Sequence, residues 1–146
     1  MDRHNSKAYP DPTAAEALTN IAQDEKEEVR QYRPLVYICS PFAGDTEYNI
    51  SRARGYCRFA VSKGSIPLAP HLHYPQFIDD LNKESRELGL SFALILLVKC
   101  DAVWVFGDRI SDGMAREIAE AKKIGIPIRF FNERCEEVMR HENSGR

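Results

Sequence analysis

Short apolar runs alternate with longer stretches of helical period along most of this chain. Leu35-Val-Tyr-Ile-Cys39 is an apolar run held between Pro34 and Ser40-Pro41, the pattern of a buried parallel strand. From about Thr46 to Lys63 the period changes. Ile50, Ala53, Cys57, Ala60, Val61 and Gly64 fall on one face of a helical wheel, with Gly64 placed to cap the C-terminus. Phe59 falls on the outer face and hints at a subunit contact. Ser65–Ala69 reads as a second, weaker strand, and Pro67 suggests an edge position. Pro70 and Pro75 bracket a loop, and a short helical turn over Phe77–Leu81 is expected to follow.

Glu84–Lys99 reads as a helix that is apolar almost all round after Leu88. Its run Ala93–Val98 has the alternative of a strand, because periodicity does not decide a continuous apolar run; length favours the helix. Ala102–Phe106 is the better strand. A helix over Asp112–Ile124, a Gly125 cap, a strand over Ile126–Phe131 and a charged tail helix from about Glu133 complete the pattern. Upstream, residues 1–12 read as a loose leader, and Thr13-Ala-Ala-Glu16 as a capping box opening a helix that runs to about Tyr32. The expected organisation is an N-terminal leader and helix over 1–33 and an α/β domain over 34–146. Strands alternating with helices of these lengths predict a Rossmann-like three-layer α/β domain, with a mostly parallel sheet of four or five strands.

Composition changes this picture little. Hydrophobic residues at 43% and charged residues at 29% are ordinary for a globular domain, and a formal net charge of −2 gives no support to a nucleic-acid partner. The longest apolar run, Phe92–Val98, is too short to span a bilayer, so no membrane partner is expected. The N-terminus lacks the apolar segment of a secretory signal, and a cytoplasmic protein is the default expectation. Cys39, Cys57, Cys100 and Cys135 form no C-x-x-C pair and no zinc spacing; they read as reduced thiols in apolar settings.

Candidate chemistry concentrates where three strands end: Ser40–Asp45, Pro70–Tyr74 and Gly107–Glu117. In an open α/β sheet ligands bind at the carboxyl ends of strands, where helix N-termini present backbone N–H groups. With Ile118 at the centre of the buried face, Met114, Ala121, Lys122 and Gly125 lie near it, and Arg116, Glu120 and Lys123 point away. Glu117 sits at the edge of the stripe, on a flank that Ile124 suggests is covered. Such a carboxylate suits a nucleophile; the alternative is a helix-edge salt bridge. In Ser40-Pro41-Phe42-Ala43-Gly44-Asp45, Gly44 permits a tight turn above the next helix, where an anionic or hydroxylated ligand could dock. Asn49 is within reach of the same rim, and the plainer reading is a strand-to-helix turn capped by Asp45. The loop is neither G-x-G-x-x-G nor a Walker loop. His71 and His73 alternate across what reads as extended backbone, placed for ligand contact, acid–base work or simple hydrogen bonding. A metal would need a third ligand from Asp79 or Asp80, which equally suit a solvated turn, and no metal or cofactor is expected. Trp104 reads as core rather than as a ligand platform.

The stretches Ser40-Pro41-Phe42-Ala43-Gly44-Asp45 and Ser111-Asp-Gly-Met-Ala-Arg-Glu117, running on through Gly125-Ile-Pro127, resemble the nucleoside 2-deoxyribosyltransferase-like superfamily over about Leu35 to Phe131. The resemblance is strongest to an uncharacterised bacterial branch with the patterns S-P-(Y/F)-A-G-D, A-P-H-L and W-V-x-G-D-R-I-S-x-G-M. It implies a glutamate nucleophile, matched here by Glu117, that attacks the anomeric carbon of a nucleoside or nucleotide and forms a glycosyl-enzyme intermediate. It also implies sugar or phosphate contact at Ser111 or Asp112. Substrate contacts are expected from Ser40, Pro41, Phe42, Gly44, Asp45, Asn49, His71, His73, Asp108, Ser111, Gly113 and Met114, with Glu117 and Asp112 catalytic. Asp79, Asp80 and Asp108 are the candidates for a carboxylate that assists base departure. Because relatives complete their sites from a neighbouring subunit, a homo-oligomer is implied too. The first loop departs from the A-G-P order of the transferases and from the G-x-x-G-G-type loop of the related nucleotide N-glycosidases. A non-catalytic nucleotide- or sugar-phosphate-binding module of the same fold is the competing expectation.

Overall fold

Residues 31–79 and 82–140 are described by a computed structural model, and the unit that begins at Arg33 is a five-stranded sheet between two helical layers. The helix expected to run from Thr13 to about Tyr32 lies outside the described residues, apart from Gln31 and Tyr32, which are not helical. Strands β1 (Leu35–Cys39), β2 (Ile66–Leu68), β3 (Ala102–Phe106) and β4 (Ile128–Phe131) are parallel, and a two-residue β5 (Glu137–Val138) runs antiparallel to β4. The order across the sheet is β2-β1-β3-β4-β5. Pro67 does lie on an edge strand, where a missing N–H leaves no ladder partner unsatisfied on the open side. The helices are α1 (Thr46–Ser62), α2 (Lys83–Leu97) and α3 (Asp112–Ile124).

The two-residue period of the strands builds two separate cores. Val36, Ile38, Trp104 and Phe106 face α1, where Tyr56 stacks on Phe106 at 4.2 Å. Tyr37, Cys39, Val103 and Val105 face the opposite way, toward Ala93 and Leu97 of α2 and Met114 and Ala121 of α3. Trp104 is core, as its place in a buried strand predicts.

Five expectations need correction. The buried face of α1 is centred on Ala53, Tyr56 and Ala60, and Val61 is 60% exposed. The two alanines let the helix approach the sheet, and aromatic rings fill the space beside them. Phe59 therefore turns inward onto Trp104, Phe106 and Phe131 rather than outward to a subunit. The segment read as an extended loop is two consecutive 3-10 turns, Pro70–Leu72 and Tyr74–Gln76. A proline near the start of each supplies the required φ; helical structure here precedes Phe77 instead of beginning at it. The fourth strand starts at Ile128, not Ile126. Finally, the tail forms a turn and β5 in place of a helix. The Asn132 side chain accepts the N–H groups of Arg134 and Glu136, and Arg129 grips Glu137 across the hairpin. The run Ala93–Val98 is helical through Leu97, so the strand alternative is set aside.

Candidate functional site

The sheet order fixes where a site can form. The chain leaves β1 toward β2 on one side and returns past it to β3 on the other, so the loops after β1 and β3 diverge above a crevice. At that crevice α3 begins. Ser111 caps it by accepting the Met114 N–H at 3.3 Å, and Gly125 closes it at φ +83°, a left-handed conformation that suits glycine. Met114 and Ala121 pack α3 into the core beside Tyr37 and Cys39, which places Glu117 against β1.

There the glutamate meets two donors from a single strand face. Tyr37 donates its hydroxyl to Oε2 at 2.5 Å, and Cys39 donates its thiol to Oε1 at 3.2 Å. Spacing by two residues is what puts both side chains on the α3 side of β1. Burial pushes the Glu117 carboxyl above its usual range, and the two donors oppose that rise. Burial, with the adjacent glutamate second, also pushes the Tyr37 hydroxyl and the Cys39 thiol well above their ordinary values, so both keep the proton they donate. Cover for Glu117 thus comes from β1 and not from the Ile124 flank, since Ile124 is 42% exposed.

Glu117 and Tyr37 line a cavity of about 190 Å³, together with Phe42, Pro70, His71, Tyr74 and Ala93. The walls are mainly aromatic and aliphatic. His71 is its neutral polar element: burial lowers its pKa to about 4, its Nε2 lies 3.1 Å from Ser40 Oγ, and its ring stands edge-on to Phe42. Asp79, Ser85 and Arg86 also line this cavity. A second, more polar cavity of about 440 Å³ lies between the loops after β1 and β3, bordered by Gly44, Asn49, Arg52, Arg109, Ser111 and Glu133.

The expected site residues divide accordingly. Phe42, His71 and Glu117 share the first cavity, with Ser40 behind His71; Pro41, Gly44, Asp45, Asn49, Asp108 and Ser111 share the second. Several have structural duties as well. Asp45 caps α1 through the Tyr48 N–H, and Asn49 Nδ2 donates to the carbonyls of Phe42 and Ala43, pinning the loop. Asp112, Gly113, Met114 and His73 line neither cavity. Met114 is buried in the core, and exposed His73 packs on the rings of Tyr74 and Phe77. His71 and His73 do not share one side, because the chain turns between them. Asp80 lies outside the described residues, which hold no group of three metal-ligating side chains.

Sequence reasoning passed over Tyr37 and Cys39, absorbing both into an apolar run. Their signal was available: a phenol and a thiol two residues apart in a strand must point to the same face.

Residues 34–131 match the model of a family described as "Domain of unknown function (DUF7768)". The chain belongs to this family. The matched span runs from the start of β1 to the end of β4, so Glu117 and both of its donors lie within the DUF7768 domain. Among solved structures, the domain is similar to a 2-deoxyribosyltransferase from the psychrotolerant bacterium Bacillus psychrosaccharolyticus. The two are 21% identical over 73% of this chain and 77% of that one, with a TM-score of 0.53. That likeness shows a common fold. No curated protein matches the chain. No helix among the described residues is long and apolar enough to cross a membrane.

Proposed function

We propose that this DUF7768 protein cleaves or transfers the N-glycosidic bond of a nucleoside or nucleotide, with Glu117 as nucleophile. The observation that carries the reading is the Glu117 carboxylate, held by Tyr37 and Cys39 at the wall of a cavity with aromatic sides. The phenyl and phenol rings of Phe42 and Tyr74 suit a planar base, and neutral His71 offers it a hydrogen bond. The fold shared with a 2-deoxyribosyltransferase supports the same reading.

In the proposed reaction one Glu117 oxygen bonds to the anomeric carbon as the bond from that carbon to the base nitrogen breaks. The bonding pair leaves with the base, which takes up a proton from solvent; the water or second base that attacks next returns one. Positive charge building on the sugar ring is stabilised by the fixed carboxylate. Water or a second base then displaces the ester and returns Glu117 as carboxylate. Ser111, which caps α3 and borders the second cavity, is proposed to contact the sugar or its phosphate, and a second subunit is proposed to complete the site.

The test is Glu117→Gln against wild type on a panel of nucleosides and nucleotides, following released base and the mass of a covalent adduct. Wild type is expected to form the adduct, and the variant to lose base release by about a thousandfold or more. Undiminished release by the variant would remove Glu117 from the role of nucleophile. A second reading, a non-catalytic sensor of nucleotides or sugar phosphates, is favoured by the larger polar cavity beside Arg52 and Arg109. Saturable binding of a panel compound by wild type, with neither release nor adduct, is its expected signature.

A further inference from the structure

We infer that Cys39 is a positioning residue for Glu117, its thiol fixing the second oxygen of a carboxylate whose first oxygen is fixed by Tyr37. The inference rests on the nucleophile reading above and adds a residue and a mechanism to it. A carboxylate tethered at one oxygen can still swing about its side-chain torsions. One tethered at both oxygens, by two groups on the same rigid strand, is set in plane and rotamer. Cys39 belongs to β1, is 0% exposed, and reaches Oε1 at 3.2 Å across the contact between strand and helix.

Among the described residues, this thiol's other acceptor is the Met114 carbonyl at 3.9 Å, which is both more distant and uncharged. One S–H proton serves one acceptor at a time, and the nearer carboxylate is favoured on both counts. Burial keeps that proton on sulfur, so Cys39 acts as a donor and does not compete with Glu117 as an anion. A hydroxyl could fill the same role. An alkyl group would leave Oε1 without its donor, and the carboxylate would become harder to ionise.

The groups that bear on Glu117 can be named. Tyr37 and Cys39 face it from β1, and His71, Asp79 and Arg86 line the same cavity. On its own helix, Arg116 pairs with Glu87 at 3.3 Å. Tyr37 and Cys39 donate directly to its carboxylate.

The experiment compares wild type, Cys39→Ala, Cys39→Val and Cys39→Ser. The Glu117 titration is followed by carboxyl infrared difference against Glu117→Gln, and the acid limb of the pH–rate profile for base release is measured in parallel. Both variants without a donor are expected to raise the Glu117 midpoint by roughly one unit, so that about tenfold less of it is ionised below the midpoint. Cys39→Ser is expected to restore the wild-type midpoint. The valine variant fills the space of the sulfur, which keeps the comparison sound if the alanine variant folds poorly. An unchanged midpoint in both, or the same shift in Cys39→Ser, overturns the inference. Shifted midpoints with no base release from any protein would uphold the positioning role and remove the glycosidic reading. Base release with invariant midpoints would do the reverse.

Discussion

Burial disfavours the ionised form of Glu117, and the Tyr37 and Cys39 donors oppose that. A carboxyl whose pKa is raised on folding stabilises the fold at acid pH, and that contribution is lost as pH rises through the folded value. Glu117→Gln is therefore expected to melt a few degrees higher than wild type near pH 7. Thermal scans at pH 7 and pH 5 test this: a difference that narrows on acidification is expected, and a variant less stable at pH 7 would contradict it. His71 works in the opposite sense. Burial lowers its pKa from 6.5 to about 4, so its neutral form contributes stability above pH 6.5 that is lost as pH falls toward 4. The full contribution is about 3 kcal/mol. Urea midpoints of His71→Gln between pH 7 and pH 4 should show a flatter acid slope than wild type.

At the level of elements, α3 does the most for the site, because its rotation decides where Glu117 points. The helix start at Asp112 and the Gly125 cap were both legible in the chain, since capping depends on residue type at a fixed offset from a periodic stretch. Ser111→Ala should cost about 1 kcal/mol, seen as a lower urea midpoint with unchanged slope. The segment Pro70–Gln76 was not legible in the same way. Two prolines announce a break in regular structure, yet whether the chain between them extends or coils depends on what its side chains meet. Here His71 meets Ser40 and Phe42, while His73 meets Tyr74 and Phe77. The tail is a similar case: a charged run with helical spacing became a hairpin because Arg129 of β4 offered Glu137 a bidentate partner.

At the level of the whole domain, the alternation of strands and helices predicted three layers and a mostly parallel sheet, and the structure has them. It did not predict which face of α1 meets the sheet. Phe59 makes the difference measurable. Packed against Trp104, Phe106 and Phe131, Phe59→Ala should lower stability by roughly 2–4 kcal/mol and leave the oligomeric state unchanged. Sedimentation at matched concentrations, beside a urea titration, checks both halves; a change of assembly without loss of stability would restore the subunit-contact view. What the sequence determined by itself is what local rules govern: the four parallel strands and three long helices, the Gly125 cap, the edge place of Pro67, and a carboxylate near the start of the helix after β3. What only tertiary structure decided is which side chains meet across elements. Tyr37 and Glu117 are eighty residues apart along the chain. Only the packing of α3 on β1 turns a buried phenol, a buried thiol and a helix-edge glutamate into one hydrogen-bonded group.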